Sequence, residues 1–283
     1  MVDKPPGITS HDVVERVRRI LGTKAVGHTG TLDPFATGLL VVLVGKATRL
    51  ARFVERQSKT YLATVRLGVR TDTDDLTGRI MNTGDAGESV DPGRVIEALG
   101  QFVGTRSQRP PEYSAKHVGG ERSYQKARRG EAVTLTPVEV TVSELDVLAC
   151  QPPSVTFRVV VSAGTYIRAL ARDLGECLGV GAHLAGLRRE AIGSLRVEDA
   201  VALEQLSGRD LIPPRMLLGE MPLVELDTES VRAVSHGRPV EEGGEAGSRV
   251  RATVVGLLGD GELVAVAKAE DGWLRPMVVL REP

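Results

Sequence analysis

Cysteine is nearly absent from this 283-residue chain: Cys150 and Cys177 are the only two, and they fit neither CxxC nor a zinc-ligand spacing. That excludes a disulfide-stapled secreted domain and suits a reduced, cytoplasmic protein with inert thiols. No apolar run reaches the length of a membrane span, and no N-terminal stretch reads as a signal peptide, so no membrane association is expected. A P-loop and a dinucleotide fingerprint are both missing, and the five histidines show no zinc spacing. The acidic run Asp72-Thr73-Asp74-Asp75 invites a calcium reading, but an EF-hand loop places an oxygen ligand and a glutamate where this chain has Leu76 and Thr83. It reads as a turn. These absences favour a chemistry that needs neither metal nor bound cofactor.

Strong net charge is lacking too. The formal value is −1, so the chain as a whole does not announce a nucleic-acid binder. The distribution is uneven, however: residues 1–60 hold ten Lys/Arg against five Asp/Glu, residues 104–130 seven against two, and residues 220–283 seven against twelve. Such asymmetry suggests a basic face for a polyanion and an acidic end elsewhere, although solvated helix faces give the same counts. The 41% hydrophobic and 26% charged content is that of an ordinary globular protein able to bury a sizeable core.

The pattern along the chain is mixed α+β. Ser10 is placed to cap a helix over residues 11–21, with Val13, Val14, Val17, Ile20 and Leu21 at helical spacing. Residues 39–44 form a β-branched apolar run of strand length, and residues 60–69 alternate as a half-buried strand. Residues 71–93 are polar and turn-rich. A helix is expected over 92–101, an irregular stretch over 104–118, a short basic helix over 122–129, strands over 138–148 and 155–162, and a helix over 167–177. The Pro/Gly-rich segment 207–222 reads as a linker. Beyond it, alternating strands over 249–258, 262–268 and 274–280 predict a small all-β module, its first hairpin turned by Gly259-Asp260-Gly261.

One stretch dominates the chemistry: Gly27-His28-Thr29-Gly30-Thr31-Leu32-Asp33-Pro34-Phe35-Ala36-Thr37-Gly38. It sets one carboxylate among glycines, which admit close approach of another backbone or a ligand. Pro34 steers Asp33 toward an extended conformation, so the carboxylate sits on a stiff loop open to a bulky partner. An isolated Asp-Pro would merely start a turn. This stretch, continued by Leu39-Leu40, resembles the signature of the TruB-type tRNA pseudouridine synthases, G-H-x-G-x-L-D-P-x-A-[ST]-G-x-L. The likeness extends to Val2-Asp3-Lys4-Pro5-Pro6-Gly7-Ile8-Thr9-Ser10, Lys59-Thr60-Tyr61, Arg66-Leu67-Gly68, Thr71-Asp72-Thr73-Asp74, Pro110-Pro111-Glu112-Tyr113-Ser114-Ala115 and Gly164-Thr165-Tyr166-Ile167-Arg168. It implies a mixed-sheet catalytic domain over residues 1–219, with a thumb insertion near 104–136, and a PUA-like β module over 220–283.

The resemblance assigns the nucleophile to Asp33, its cationic partner to Arg168 and an active-site aromatic to Tyr61. A neighbouring cation favours the ionised carboxylate. Attack on the ribose, attack on the base and departure through a glycal-like intermediate are all compatible with one carboxylate. Arg168 also suits a surface ion pair, and Tyr61, alternating with apolar residues, also suits a core position. The target uridine of a folded tRNA T-arm must leave its stack, which costs a few kcal/mol. His28 stands where it could fill the vacated place. Lys4, Arg16, Arg18, Arg19 and Lys24 could hold phosphates, as could Arg122, Lys126, Arg128 and Arg129 of the thumb; Tyr166 and Leu187 match pocket-lining positions or simply pack. Two departures stand out. Lys116-His117 displaces the lysine usual after the Ser-Ala by one position, and the chain begins almost directly at Asp3-Lys4-Pro5 where relatives carry more apolar strand residues.

The expected activity is therefore isomerisation of the T-loop uridine, conventionally position 55, by a cytoplasmic monomer that needs no cofactor and no obligate protein partner. Three alternatives stand beside it. One is a tRNA-folding chaperone with secondary catalysis. Another is a guided pseudouridine synthase within a ribonucleoprotein, a group with basic extensions absent here. The third is a glycosidase-type hydrolase, which needs a second carboxylate of clear role.

Overall fold

The computed structural model describes residues 1–83, 87–113, 117–118, 121–122, 129, 135–242 and 253–281. Strand β1 (Val2–Lys4) leads into helix α1 (Ser10–Leu21), whose Val13, Val14 and Val17 are buried. The cap is Thr9, one residue earlier than expected. Its hydroxyl accepts from the Asp12 N–H while the Asp12 carboxylate accepts from the Thr9 N–H, a reciprocal capping box. Gly22 closes the helix in the left-handed conformation at φ 62°. Ser10 is thereby released for another task at the site.

The apolar run after the Asp33 loop is not one strand. It divides into β3 (Thr37–Leu40) and β4 (Val42–Val44), the latter pairing with β2 (Val26–His28). Helix α2 (Ala51–Glu55) precedes the long strand β5 (Lys59–Leu67), followed by the ribbon β6 (Val69–Thr71) and β7 (Ile80–Thr83). After α3 (Pro92–Gly100) comes β8 (Gly104–Gln108), a strand where an irregular stretch was expected. Its Thr105, Arg106 and Ser107 are polar, so no apolar alternation marks it. β9 (His117–Val118) and β10 (Glu121–Arg122) pair, which puts Arg122 in a strand rather than at the start of a helix. Residues 123–128 of the expected basic helix lie outside the described residues.

β11 (Val138–Gln151), β12 (Ser154–Val161) and α4 (Ile167–Leu178) follow the expected pattern. β13 (Ala182–Ile192), with β14 (Leu195–Arg196) and β15 (Val201–Ala202), was not read from the sequence, yet β13 is central. The main sheet runs β15-β1-β3-β13-β5-β12-β11-β8, and β14 pairs with β13. β13 is parallel to β3 and antiparallel to β5. α3 and α4 supply Val95, Leu99, Leu170 and Leu174 to a buried cluster with Tyr61, Ala63, Val65 and Phe157 of the sheet.

The segment read as a linker is packed: Leu217 and Leu218 are buried, and the Gln57 side chain donates to the Leu217 carbonyl at 2.7 Å. Beyond it, β16 (Leu223–Glu225), α5 (Thr228–Ser235), β17 (Val240–Glu241), β18 (Val254–Gly259), β19 (Glu262–Glu270) and β20 (Trp273–Val279) form a second sheet in the order β16-β18-β19-β20-β17. The β18–β19 turn has positive φ at Asp260 (54°) and Gly261 (73°), as a tight hairpin needs. One buried cluster joins Leu39, Val41, Leu50 and Val54 of the first unit to Leu263, Val266 and Val278 of the second.

Candidate active site

The Asp33 loop is pinned from below by groups that sequence patterns hide. The Ser10 hydroxyl accepts from the Leu32 N–H at 2.9 Å and donates back to the Leu32 carbonyl at 3.2 Å. Leu32 and Ala36 anchor the loop's flanks in the main cluster, at 2% and 0% exposure. Arg189, 1% exposed, donates to the Leu39 carbonyl at 2.7 Å and to the Gly30 carbonyl at 3.1 Å. Gly38 pairs with Arg189 at φ +100°; a Cβ there would stand 2.3 Å from the Arg189 carbonyl oxygen, so only glycine fits.

Lys4 also belongs to this underside. It is fully buried, and its ammonium donates to the carbonyls of Pro5, Ile8 and Pro34 at 2.9, 2.8 and 3.2 Å. Burial pushes it down to about 8, with the Asp33 charge pulling the other way. This corrects the expectation of a phosphate contact: the ammonium is committed to shaping the loop, because three carbonyls replace its lost water.

The upper side of the loop carries the charge partner. Arg168, in the first turn of α4, approaches Asp33 with Nε at 3.0 Å and Nη2 at 3.3 Å from its two carboxylate oxygens. The arginine side chain is 7% exposed and the aspartate 32%, so the pair lies at an opening with only the carboxylate facing out. Withdrawal from water pushes the Asp33 carboxyl above its ordinary range; the Arg168 charge opposes that shift, and Asp75 adds to it.

Asp75 was not singled out in the sequence. It lies 3.4 Å from Arg168 Nη1 through one carboxylate oxygen. Its other oxygen accepts from the Thr73 hydroxyl and from the Thr77 N–H and hydroxyl at 2.8, 2.9 and 2.6 Å. The acidic run is thus a turn, as read, but its carboxylates are taken up by arginines: Asp72 by Arg79, Asp74 by Arg172 and Asp75 by Arg168. No pattern within the run could show this, because two of the partners lie on a helix far along the chain.

The other expected residues fall around this centre in different ways. Tyr61, 9% exposed on β5, shares the buried cluster with Leu32, Ala36 and Ile167. Strand register sets it beside Arg189, which in turn pairs with Gly38, so one row crosses β5, β13 and β3 beneath the loop. His28 ends β2; burial and the Arg189 charge lower its pKa, and its Nδ1 has no hydrogen-bond partner among the described residues. Tyr166 caps α4, its backbone held by a reciprocal pair with the Gln108 amide at 2.8 and 3.1 Å. Leu187 is half-buried against the main cluster. Lys24 is exposed in the turn after α1. Arg129 pairs with Glu121 at 2.7 Å. Lys126 and Arg128 lie outside the described residues.

The arrangement can hold an ionised carboxylate on a loop tied down by hydrogen bonds, facing an opening, with a buried guanidinium to orient it. Covalent catalysis at a sugar or base carbon asks for that set. Residues 18–167 match the family model described as "TruB family pseudouridylate synthase (N terminal domain)", and residues 168–211 match "tRNA pseudouridylate synthase B C-terminal domain". The tRNA pseudouridine synthase B of Thermobifida fusca (strain YX) is 43% identical over 290 residues, covering 99% of this chain and 97% of that protein. Its namesake from Arthrobacter sp. (strain FB24) is 43% identical over 291 residues, covering 99% and 95%. Among solved structures, a Cbf5-Nop10-Gar1 complex matches with TM-score 0.76 and 30% identity over 99% of this chain and 83% of the other. An H/ACA RNP bound to a substrate RNA containing 2'-deoxyuridine matches with TM-score 0.73 and 28% identity, covering 99% and 83%.

Proposed function

The chain belongs to the TruB family of pseudouridylate synthases, and on that premise we propose that it isomerises the T-loop uridine of tRNA, position 55, with Asp33 as the nucleophile. The observation that carries this reading is the Arg168–Asp33 ion pair on a loop whose backbone is held at Gly30, Leu32 and Pro34 by buried side chains. In the reaction the N1–C1′ bond of uridine breaks, the C5–C1′ bond forms, C5 gives up a proton and N1 gains one. Nothing is oxidised and no water enters the product. A carboxylate, a proton acceptor and a pocket that keeps the free base from leaving are sufficient.

Arg168 orients Asp33 and favours its ionised form against the desolvation around it. Tyr61 offers a ring beneath the reacting base. His28, kept neutral by burial, is suited to enter an emptied base stack, since a neutral imidazole stacks without desolvating a charge. Lys24 is the exposed cation nearest in sequence to the loop and suits a backbone phosphate. The protein is proposed to act as a single chain in the cytoplasm, where its tRNA substrate is.

Unmodified tRNA transcripts incubated with the pure protein, then mapped for pseudouridine by chemical sequencing, test this reading. One new pseudouridine in the T-loop is expected. Modification only after addition of a guide RNA would favour the ribonucleoprotein alternative, and refolding of tRNA with no pseudouridine would favour the chaperone.

A further inference from the structure

Arg168 is one of two arginines on the same face of α4. Arg172 stands one turn further on, 5% exposed, and makes a matching set of contacts. Arg168 touches the acidic turn through Asp75 (3.4 Å) and the Thr73 carbonyl (3.1 Å), and the segment after β8 through the Tyr113 carbonyl (2.9 Å). Arg172 touches the same turn through Asp74 (3.1 Å) and the same segment through the Arg109 carbonyl (2.8 Å). Only Arg168 reaches Asp33. Asp173 fixes the Arg172 guanidinium with contacts of 2.8 and 3.1 Å, and itself lies 3.6 Å from Arg106, whose guanidinium sits over the Phe102 ring at 4.0 Å.

The helix is closely seated. A Cβ on Gly175 would stand 2.2 Å from the Ala182 nitrogen, so α4 lies directly on the start of β13. Against that fixed helix, the acidic turn and the segment 109–113 are the parts that need holding. The turn is stitched to β13 at one side, where the Leu184 N–H donates to the Asp74 carbonyl at 3.0 Å. Arg172 holds its other side.

We propose that Arg172 is a positioning residue for the reaction: it locks the acidic turn and residues 109–113 to α4, and so fixes the oxygen atoms that aim Arg168 at Asp33. A lysine does this poorly, because Arg172 meets Asp74 through Nη1 and the Arg109 carbonyl through Nη2, and a compact ammonium on a flexible stem does not reproduce that fixed spread of donors. The inference rests on the assignment of Asp33 as the reacting carboxylate. Its test is therefore read on protein whose parent form makes pseudouridine in the same assay.

Two variants are compared with the parent, Arg172→Lys and the double variant Asp74→Asn/Arg172→Met. The double variant removes both charges of the buried pair and leaves Asp173 to Arg106, 3.6 Å away. Single-turnover rate, tRNA affinity, thermal melting and the pH–rate profile are measured. The charged groups facing Asp33 are Arg168, Asp75 and Lys4, and those facing the Arg172–Asp74 pair are Asp173, Glu176, Arg70 and Arg168. Both variants are expected to fold, to bind tRNA within about twofold of the parent, and to react about 10–100-fold more slowly, the cost of a sub-ångström to ångström misplacement. The acid limb of the rate profile should move to higher pH as Arg168 loosens from Asp33. Parental rates with an unmoved acid limb in either variant would overturn the proposal. So would loss of the fold in both, which would make Arg172 part of the framework only.

Discussion

Asp33 sits in an environment that works against its charge, opposed chiefly by Arg168 and also by Lys4. Its folded pKa is raised by desolvation, so the ionised form is favoured above that raised value and lost as pH falls through it. Replacing Arg168 with methionine removes the opposing charge and should raise the value further. The acid limb of single-turnover activity is then expected at higher pH than in the parent, with tRNA binding retained; an unmoved limb at full rate contradicts the pairing. The same sign has a consequence for stability. Because ionised Asp33 is held at a cost to the fold, Asp33→Asn should melt no lower than the parent near neutral pH, and a fall of many degrees would contradict the desolvation account. At this scale the pairing of Asp33 with Arg168 was legible because two separate motifs single them out. Asp75, Arg172 and Arg189 were not: each acts through a partner remote in the chain, and the letters Asp-Asp and Arg-Arg-Glu look like solvated surface.

Among the elements, α1 was legible within one residue, the error lying in the choice between Thr9 and Ser10 as cap. Both are acceptable caps, and only tertiary contact shows that Ser10 is occupied with Leu32. β13 was invisible because Arg188, Arg189 and Glu190 interrupt its apolar alternation. Arg188 pairs with Asp3 across the sheet, while Arg189 turns inward beneath the loop. β8 was missed for a similar reason, its side chains being polar. The junction of β3 and β13 gives a sharp prediction. Gly38→Ala sets a methyl group into the Arg189 backbone at a φ of +100°, and should cost at least about 2 kcal/mol of stability. Urea unfolding measures it; a midpoint within error of the parent would mean the loop relaxes freely and is not rigid. Activity is expected to fall further than stability, since the same shift displaces Asp33.

Over the whole molecule, the two sheets share a core. Leu263, Val266 and Val278 lie in one buried cluster with Leu39, Leu50 and Val54, and the Arg49 side chain donates to the Val279 carbonyl at 3.1 Å. Composition cannot reveal that the segment 207–222, read as a linker, is itself packed. Removing residues 220–283 is therefore expected to uncover apolar surface and yield a chain that aggregates or melts without a cooperative transition. A sharp melt of residues 1–219 at the parent temperature would show the seam to be dispensable.

Single-turnover release of tritium from C5-labelled uridine in unmodified tRNA, parent against Asp33→Asn, reaches the centre of the account. Release accompanies formation of the C5–C1′ bond and nothing else in the proposed reaction. Release by the parent is expected to match new pseudouridine in the T-loop, with a loss of many powers of ten in Asp33→Asn while tRNA affinity and melting are retained. Release by Asp33→Asn within about tenfold of the parent would remove Asp33 from the role, whatever the rest of the site does.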